Sequence, residues 1–333
     1  MTESPQITFV CCVDSGWLEP QTVRMIESVR RWGGRFANAP IVAVTARFGF
    51  PISQKTRQVF EKFNVEYIHF WAKHPYTWMP YLNKPNALLA VEERSTTEFI
   101  GWLDSDLLFL KEPNLLILNE EEDFVACAAD KNVGTAGPGD PYEPYWREIC
   151  QAIGINIEDL PWVTTEMEGK PIRLYWNSGI FVYRRSTNFA RHYLETCLKL
   201  IDARLVPNVP GKFQIGINEQ TALGFAMFKE QLRWRALPYS HNYTMSPLIH
   251  SEWYNPKQLK EARILHYHDC MWPNFWPEFI KCLDVTHTEV ASWLDSIGPM
   301  KNEAPLQWRA TNKLLNHFRS RKEAVYKKLC RVI

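Results

Sequence analysis

A chain of 333 residues with 46% hydrophobic content can bury one large domain or two modest ones. Its formal net charge of +1 argues against a nucleic-acid partner, although residues 301–333 carry nine Lys/Arg against two Glu, or +7, leaving −6 for the remainder (1 minus 7). The opening MTESPQITFVCCVDSG lacks the basic and long apolar segments of a signal peptide, and no run approaches the ~20 apolar residues that span a bilayer, so a cytoplasmic chain is expected. The eight cysteines form no CxxC pair, which fits a reducing compartment where cysteine serves as a small core residue.

In chain order, short β-rich runs alternate with helical patterns, the signature of an α/β protein with a mainly parallel sheet flanked by helices. ITFVCCV (7–13) predicts the first strand and EPQTVRMIESVRRWGG an amphipathic helix ending at Gly33-Gly34. PIVAVTA (40–46) predicts the second strand, SQKTRQVFEKFN a helix capped by Ser53, and VEYIHF the third strand. NKPNALLAVEERS reads as a helix with Pro85 in its first turn, followed by EFIGWLDSDLLFLKEP (98–113) as a fourth, buried strand. DFVACAAD (123–130) is strand-like, whereas residues 131–172, rich in Pro, Gly, Trp and acidic groups, predict a long functional loop or lid. Beyond it come a strand around NSG (172–185), helices over NFARHYLETCLKLIDARL and INEQTALGFAMFKEQ, late strands at LRWRALP and ARILHYH, and a mostly helical 276–333. A catalytic unit over 1–283 with a basic helical extension over 284–333 is expected.

Two aspartates interrupt the apolar fourth run. On a strand, residues i and i+2 share a face, so Asp104 and Asp106 would aim at one spot, where two uncompensated charges are costly. A divalent cation answers that cost, and hard oxygen ligands suit Mg²⁺ or Mn²⁺. An exposed DSD turn is the plainer alternative, but FIGWL before it and LLFL after it argue for burial.

With these residues in view, the sequence resembles the GT-A class of nucleotide-sugar glycosyltransferases, in which a DxD motif after the fourth strand binds the Mn²⁺ or Mg²⁺ that holds the donor diphosphate. NKPNALLA, WNSGIFVYRR, NEQTAL and ILHYHDCMW follow in the order of the glycogenin-like branch. That resemblance implies a donor contact at Lys84, Asn177 and Ser178 beside the donor sugar, and Glu219 and Gln220 near the reacting centre. It implies a metal held by Asp104, Asp106 and His266, with His268 as the other candidate imidazole, and Ser105 close to the donor. Departures occur in the last motif, where Asp269 replaces the branch's Gly and CMW replaces KPW, and in NEQ for DQ. Val13, Asp14 and Ser15 end the first strand, where the nucleotide base and ribose would lie, and a turn-forming role suits them equally.

The expected function is metal-dependent transfer of a sugar from a UDP-sugar or other nucleotide sugar to an acceptor that the sequence does not identify. The resemblance implies retention, for which no strong protein base is needed; inversion would bring in Asp269 or Glu166. A nucleotidyltransferase and a non-catalytic nucleotide-sugar binder of the same fold are the alternatives, the first weakened by the lack of a Gly-rich phosphate loop. In the tail, Leu314, Leu315, Phe318, Val325 and Leu329 form a helical stripe with basic residues opposite. The stripe is expected to pack on the catalytic domain, with peripheral contact to an anionic membrane as the alternative.

Overall fold

The structure, a computed structural model, describes residues 6–131, 133–208, 217–245 and 254–333. Its first half repeats strand and helix: β1 (Ile7–Cys12), α1 (Leu18–Trp32), β2 (Ile41–Thr45), α2 (Gln54–Lys62), β3 (Val65–His69), α3 (Asn83–Glu92) and β4 (Phe99–Leu103). Ser53 caps α2 as expected, its hydroxyl accepting from the Thr56 amide. There follow β5 (Leu107–Phe109), β6 (Phe124–Ala128), α4 (Glu143–Ala152), β7 (Trp162–Thr164), β8 (Pro171–Arg173), β9 (Trp176–Arg184), α5 (Phe189–Asp202) and β10 (Leu205–Val206). The last third holds α6 (Ile217–Lys229), β11 (Trp234–Leu237), β12 (Tyr243–Thr244), α7 (Pro256–Glu261), β13 (Ile264–His266), α8 (Trp276–Asp284), α9 (Thr288–Ile297), α10 (Leu306–Lys328) and β14 (Arg331–Val332).

Seven strands form the central sheet in the order β11-β6-β9-β4-β1-β2-β3. Every neighbouring pair is parallel except the two that β9 makes, with β4 and with β6. The mixed, mainly parallel sheet flanked by helices is the fold class expected. Side chains alternate between its faces: Val10, Val42, Ile100 and Phe124 enter one core, Phe9, Ala43, Phe99 and Val125 the other. Near-continuous apolar strands follow from that, because both faces are covered. From β1 the chain steps to β2 and β3 on one side and returns to β4 on the other, so a crevice opens beyond the carboxyl ends of β1 and β4.

Four expectations are corrected. Residues 98–113 are two strands, not one: β4 lies in the central sheet, whereas β5 pairs antiparallel with β13 in a separate three-stranded sheet. The Asp104-Ser105-Asp106 triplet turns the chain between them, with the Leu107 amide donating to the Asp104 carbonyl at 3.3 Å, so the aspartates are turn residues. Residues 131–172 are not a structureless loop, since they contain α4 and the β7–β8 hairpin. Pro144 sits in the first turn of α4, and Tyr145, Trp146, Ile149 and Cys150 bury one face, a period masked by the surrounding Pro and Gly.

The apolar stripe of α10 does not pack on the body either: Leu314 is 54%, Phe318 53% and Val325 61% exposed. Other contacts hold the helix. Trp308 stacks on Phe50 at 5.1 Å, the Tyr326 hydroxyl donates to the Ile201 carbonyl at 2.7 Å, and β14 pairs parallel with β10.

Candidate active site

The crevice is a cleft of about 1100 Å³. Among the described residues its walls carry eight carboxylates against two permanent cations, Lys84 and Arg47. A diphosphate cannot be held in so acidic a cleft without added positive charge.

Lys84 lies in the first turn of α3 and is 8% exposed. Its Nζ donates to the Ser178 carbonyl at 2.8 Å and Oγ at 2.9 Å, and sits 3.2 Å from both Asp104 Oδ1 and Glu219 Oε1. The Trp102 ring lies 5.2 Å away, and the Trp102 indole N–H donates to Asp104 at 2.6 Å. Burial alone would lower the lysine's pKa, but Asp104 and Glu219 more than reverse this and hold the ammonium charged. Glu219, on α6, is pushed up by burial against the pull of Lys84; its carboxylate also accepts from the Tyr193 hydroxyl and from Ser178 Oγ at 3.2 Å. Gln220 and Asn177 line the same wall, and Asn177 Oδ1 accepts from the Gly179 amide at 2.9 Å.

Asp106 faces a different set of partners. Its Oδ1 is 3.2 Å from His266 Nε2 and its Oδ2 is 3.7 Å from His268 Nδ1, and ligand atoms of the three residues all lie within 4.8 Å of one another. The two imidazoles stack at 4.1 Å. Burial opposes ionisation of Asp106, yet His266, by charge and hydrogen bond, and then His268 bring it down to about 2. Asp104, by contrast, is raised by burial, with Lys84 opposing and Asp106 adding to the rise.

Backbone geometry serves the histidines. His266 Nδ1 lies 3.1 Å from Asn242 Oδ1 and Nε2 lies 3.2 Å from Asp106 Oδ1, so both ring nitrogens face oxygen acceptors, an environment that suits the protonated imidazole and fixes the ring's orientation. His268 has φ 48°, in the left-handed region where a side chain is strained unless its surroundings enforce it. Gly179 makes room for the His266 ring: a Cβ there would lie 2.7 Å from His266 Cε1 and 2.9 Å from Nδ1. Gly179→Ala is therefore expected to displace the imidazole at a cost of about 1–3 kcal/mol of stability. Thermal melting checks this, and an unchanged melting temperature would show that His266 tolerates the crowding.

At the other end of the cleft, Asp14 forms a 2.5 Å ion pair with Arg47 at the end of β2. Val13 is fully buried, its carbonyl accepting from Thr45 Oγ1 at 2.6 Å, and offers no side chain to the cleft. Ser15 opens into an adjoining cavity, where its buried hydroxyl has no partner among the described residues. Ser105 lines the cleft floor, as do Glu166 and Asp269, the latter accepting from the Trp272 indole at 3.1 Å.

Lys84, Asp104, Ser105, Asp106, Asn177, Ser178, Glu219, Gln220, His266 and Asp14 are thus brought to one cleft, and Val13 and Ser15 are not. Sequence reasoning missed Arg47, Trp102, Tyr193 and Asn242, which act on these residues from four other elements or loops. Only Trp102, two residues before Asp104, had a signal within reach.

The chain is thus an α/β protein with a cleft at the switch point of its mixed sheet, lined by a turn-borne acidic pair and an imidazole pair. Residues 9–229 match the family model of the Rhodobacterales glycosyltransferase domain, and the chain belongs to that family. Among curated proteins no sequence matches. Among solved structures, it is similar to the galactosyltransferase LgtC in complex with donor and acceptor sugar analogs, at 13% identity and TM-score 0.48 over 91% of this chain and 99% of that one. It is also similar to the bifunctional glycosyltransferase WbbM (12% identity, TM-score 0.47, 88% of this chain and 52% of that one). A third is GlyE from Streptococcus pneumoniae TIGR4 (13%, TM-score 0.47, 91% and 66%). The chain therefore spans 52% of the length of WbbM and 66% of that of GlyE.

Proposed function

We propose that this glycosyltransferase is metal-dependent, takes its sugar from a UDP-sugar, and transfers it with retention to an acceptor still to be found. The observation that carries the reading is the adjacency, in one acidic cleft, of the Asp106–His266–His268 cluster and the buried Lys84–Glu219 pair. One carboxylate and two imidazoles suit a divalent ion of the Mn²⁺ type better than Mg²⁺, given the preference of imidazole for the later metals. Such an ion, when bound, neutralises the charge that grows on the leaving diphosphate. Asp104 belongs to the proposed ligand set with Asp106 and His266; its Oδ1 is engaged by Lys84 and Trp102, so Oδ2 is the oxygen it would offer the ion.

The chain's own residues take the remaining roles. Lys84, held charged, lies in reach of a phosphate oxygen as a point charge. Asp14, just beyond β1, is the proposed contact of the base and ribose, with Ser105 and Ser178 nearer the sugar phosphate; Ser15, which opens into the adjoining cavity, would reach the donor only from there. Asn177 and Gln220 orient sugar hydroxyls. Glu219 has both oxygens engaged by Lys84, Tyr193 and Ser178, so it supplies fixed negative charge near the anomeric carbon and is poorly placed to swing out as a base. That favours retention, in which the departing phosphate accepts the acceptor's proton. Catalysis is assigned to residues 1–283, with 284–333 as an extension whose Glu323 reaches the cleft wall.

The test is incubation of purified protein with a panel of nucleotide sugars and Mn²⁺. UDP release is the expected product. Pyrophosphate would assign a nucleotidyltransferase, and tight binding without turnover a non-catalytic binder.

A further inference from the structure

The exposed side of α10 is part of a larger surface. Leu314, Phe318, Val325 and Leu329 fall within about 60° of helical arc at 3.6 residues per turn. Arg321 and Lys328 flank that arc on one side and Lys322 on the other. Two loops of the body extend it: Phe48, after β2, is 54% exposed and Trp71, after β3, is 61% exposed, with their rings edge to face at 5.1 Å. Phe48, Trp71, Leu315 and Phe318 line one groove of about 400 Å³, together with Arg319 and Lys322. Arg319 ties helix to loop by donating to the Phe48 carbonyl at 2.7 Å. Three separate segments thus converge on a single apolar patch with a cationic margin, an arrangement that a lone amphipathic helix does not explain. No helix among the described residues is long and apolar enough to cross a membrane.

We infer that this surface docks on an anionic lipid bilayer, with Phe48, Trp71, Leu314 and Phe318 entering the headgroup region and Arg321, Lys322 and Lys328 meeting lipid phosphates. Charge selects the occupant. α10 carries seven Lys/Arg against one Glu, and that Glu, Glu323, is paired with Lys327 at 2.6 Å. A second copy of the chain apposed at the same patch would set like charges against each other, whereas an anionic bilayer satisfies the apolar arc and the margin together. Arg47, Trp78 and Asn83 line both the groove and the catalytic cleft, so docking brings the bilayer beside the cleft mouth. The inference stands apart from the donor chemistry and survives its failure.

Sedimentation of the full chain with vesicles tests it. Binding to phosphatidylcholine vesicles that contain phosphatidylglycerol is expected to exceed binding to pure phosphatidylcholine by about tenfold or more, and to weaken as salt is raised. Phe318→Ser and Trp71→Ser should each reduce the bound fraction several-fold without lowering the melting temperature, and Arg321→Glu with Lys322→Glu should remove the preference for the anionic lipid. Equal partition between the two vesicle types, or an unchanged bound fraction for Phe318→Ser, overturns the inference. So does a concentration-dependent dimer in analytical ultracentrifugation that Phe318→Ser dissolves, since the patch would then belong to a second copy.

Discussion

Asp106→Ala is expected to abolish Mn²⁺-dependent donor binding while leaving the protein folded. Both carboxylate oxygens of Asp106 face imidazole nitrogens, so the substitution removes the anionic member of the cluster and leaves two neutral donors. Loss of an outer-shell partner typically costs 10- to 100-fold in metal affinity, and loss of a direct carboxylate ligand should cost about 100-fold or more. The fold should tolerate the change because Asp106 lies in a turn, where its backbone carbonyl, untouched by the substitution, accepts from the Tyr267 amide at 3.0 Å. The measurement is Mn²⁺ binding by electron paramagnetic resonance, followed by UDP titration with and without the ion. If UDP titrates identically in Mn²⁺ for wild type and variant, the cluster is not the metal site.

Lys84→Met should be the most destabilising single change in the cleft. It leaves Asp104 and Glu219, both buried and already pushed toward protonation, without the ammonium that lies 3.2 Å from each. Breaking a buried pair by removing one partner costs about 3–5 kcal/mol, because the remaining charge is uncompensated. Methionine retains most of the lysine's volume, so packing against Trp102 changes little and the loss reports charge. Glu219→Gln in the Lys84→Met background should then recover part of the stability, since one of the two orphaned charges is gone. Denaturant melts of the two variants and the wild type measure this. If the second substitution adds its own loss to the first, Lys84 and Glu219 are not energetically coupled, and the pinned-carboxylate role given to Glu219 falls with them.

The elements that the sequence located well are those with a strong local period. β1 to β3 and their helices follow apolar runs and caps such as Ser53, and the NSG strand survives as β9 despite its polar break. The errors arose where composition stood in for period. Pro, Gly and acidic residues around α4 disguised four buried positions on one helical face. The apolar letters on both sides of Asp104–Asp106 merged two strands that belong to different sheets. In both cases the deciding contacts are non-local: β5 is a strand only because β13, more than 150 residues later, pairs with it.

By itself the sequence determined the alternating α/β plan, the chemistry available for a donor site, and the basic amphipathic character of the tail. Those properties reside in residue types and their spacing. Tertiary structure alone decided that Asp104 answers to Lys84 while Asp106 answers to two imidazoles, and that Phe48 and Trp71 join the exposed side of α10. Carboxylates two residues apart on a strand would share a face, but on a turn each takes the partner that the nearest folded segment supplies. Which segment is nearest depends on chain crossings that no local pattern encodes.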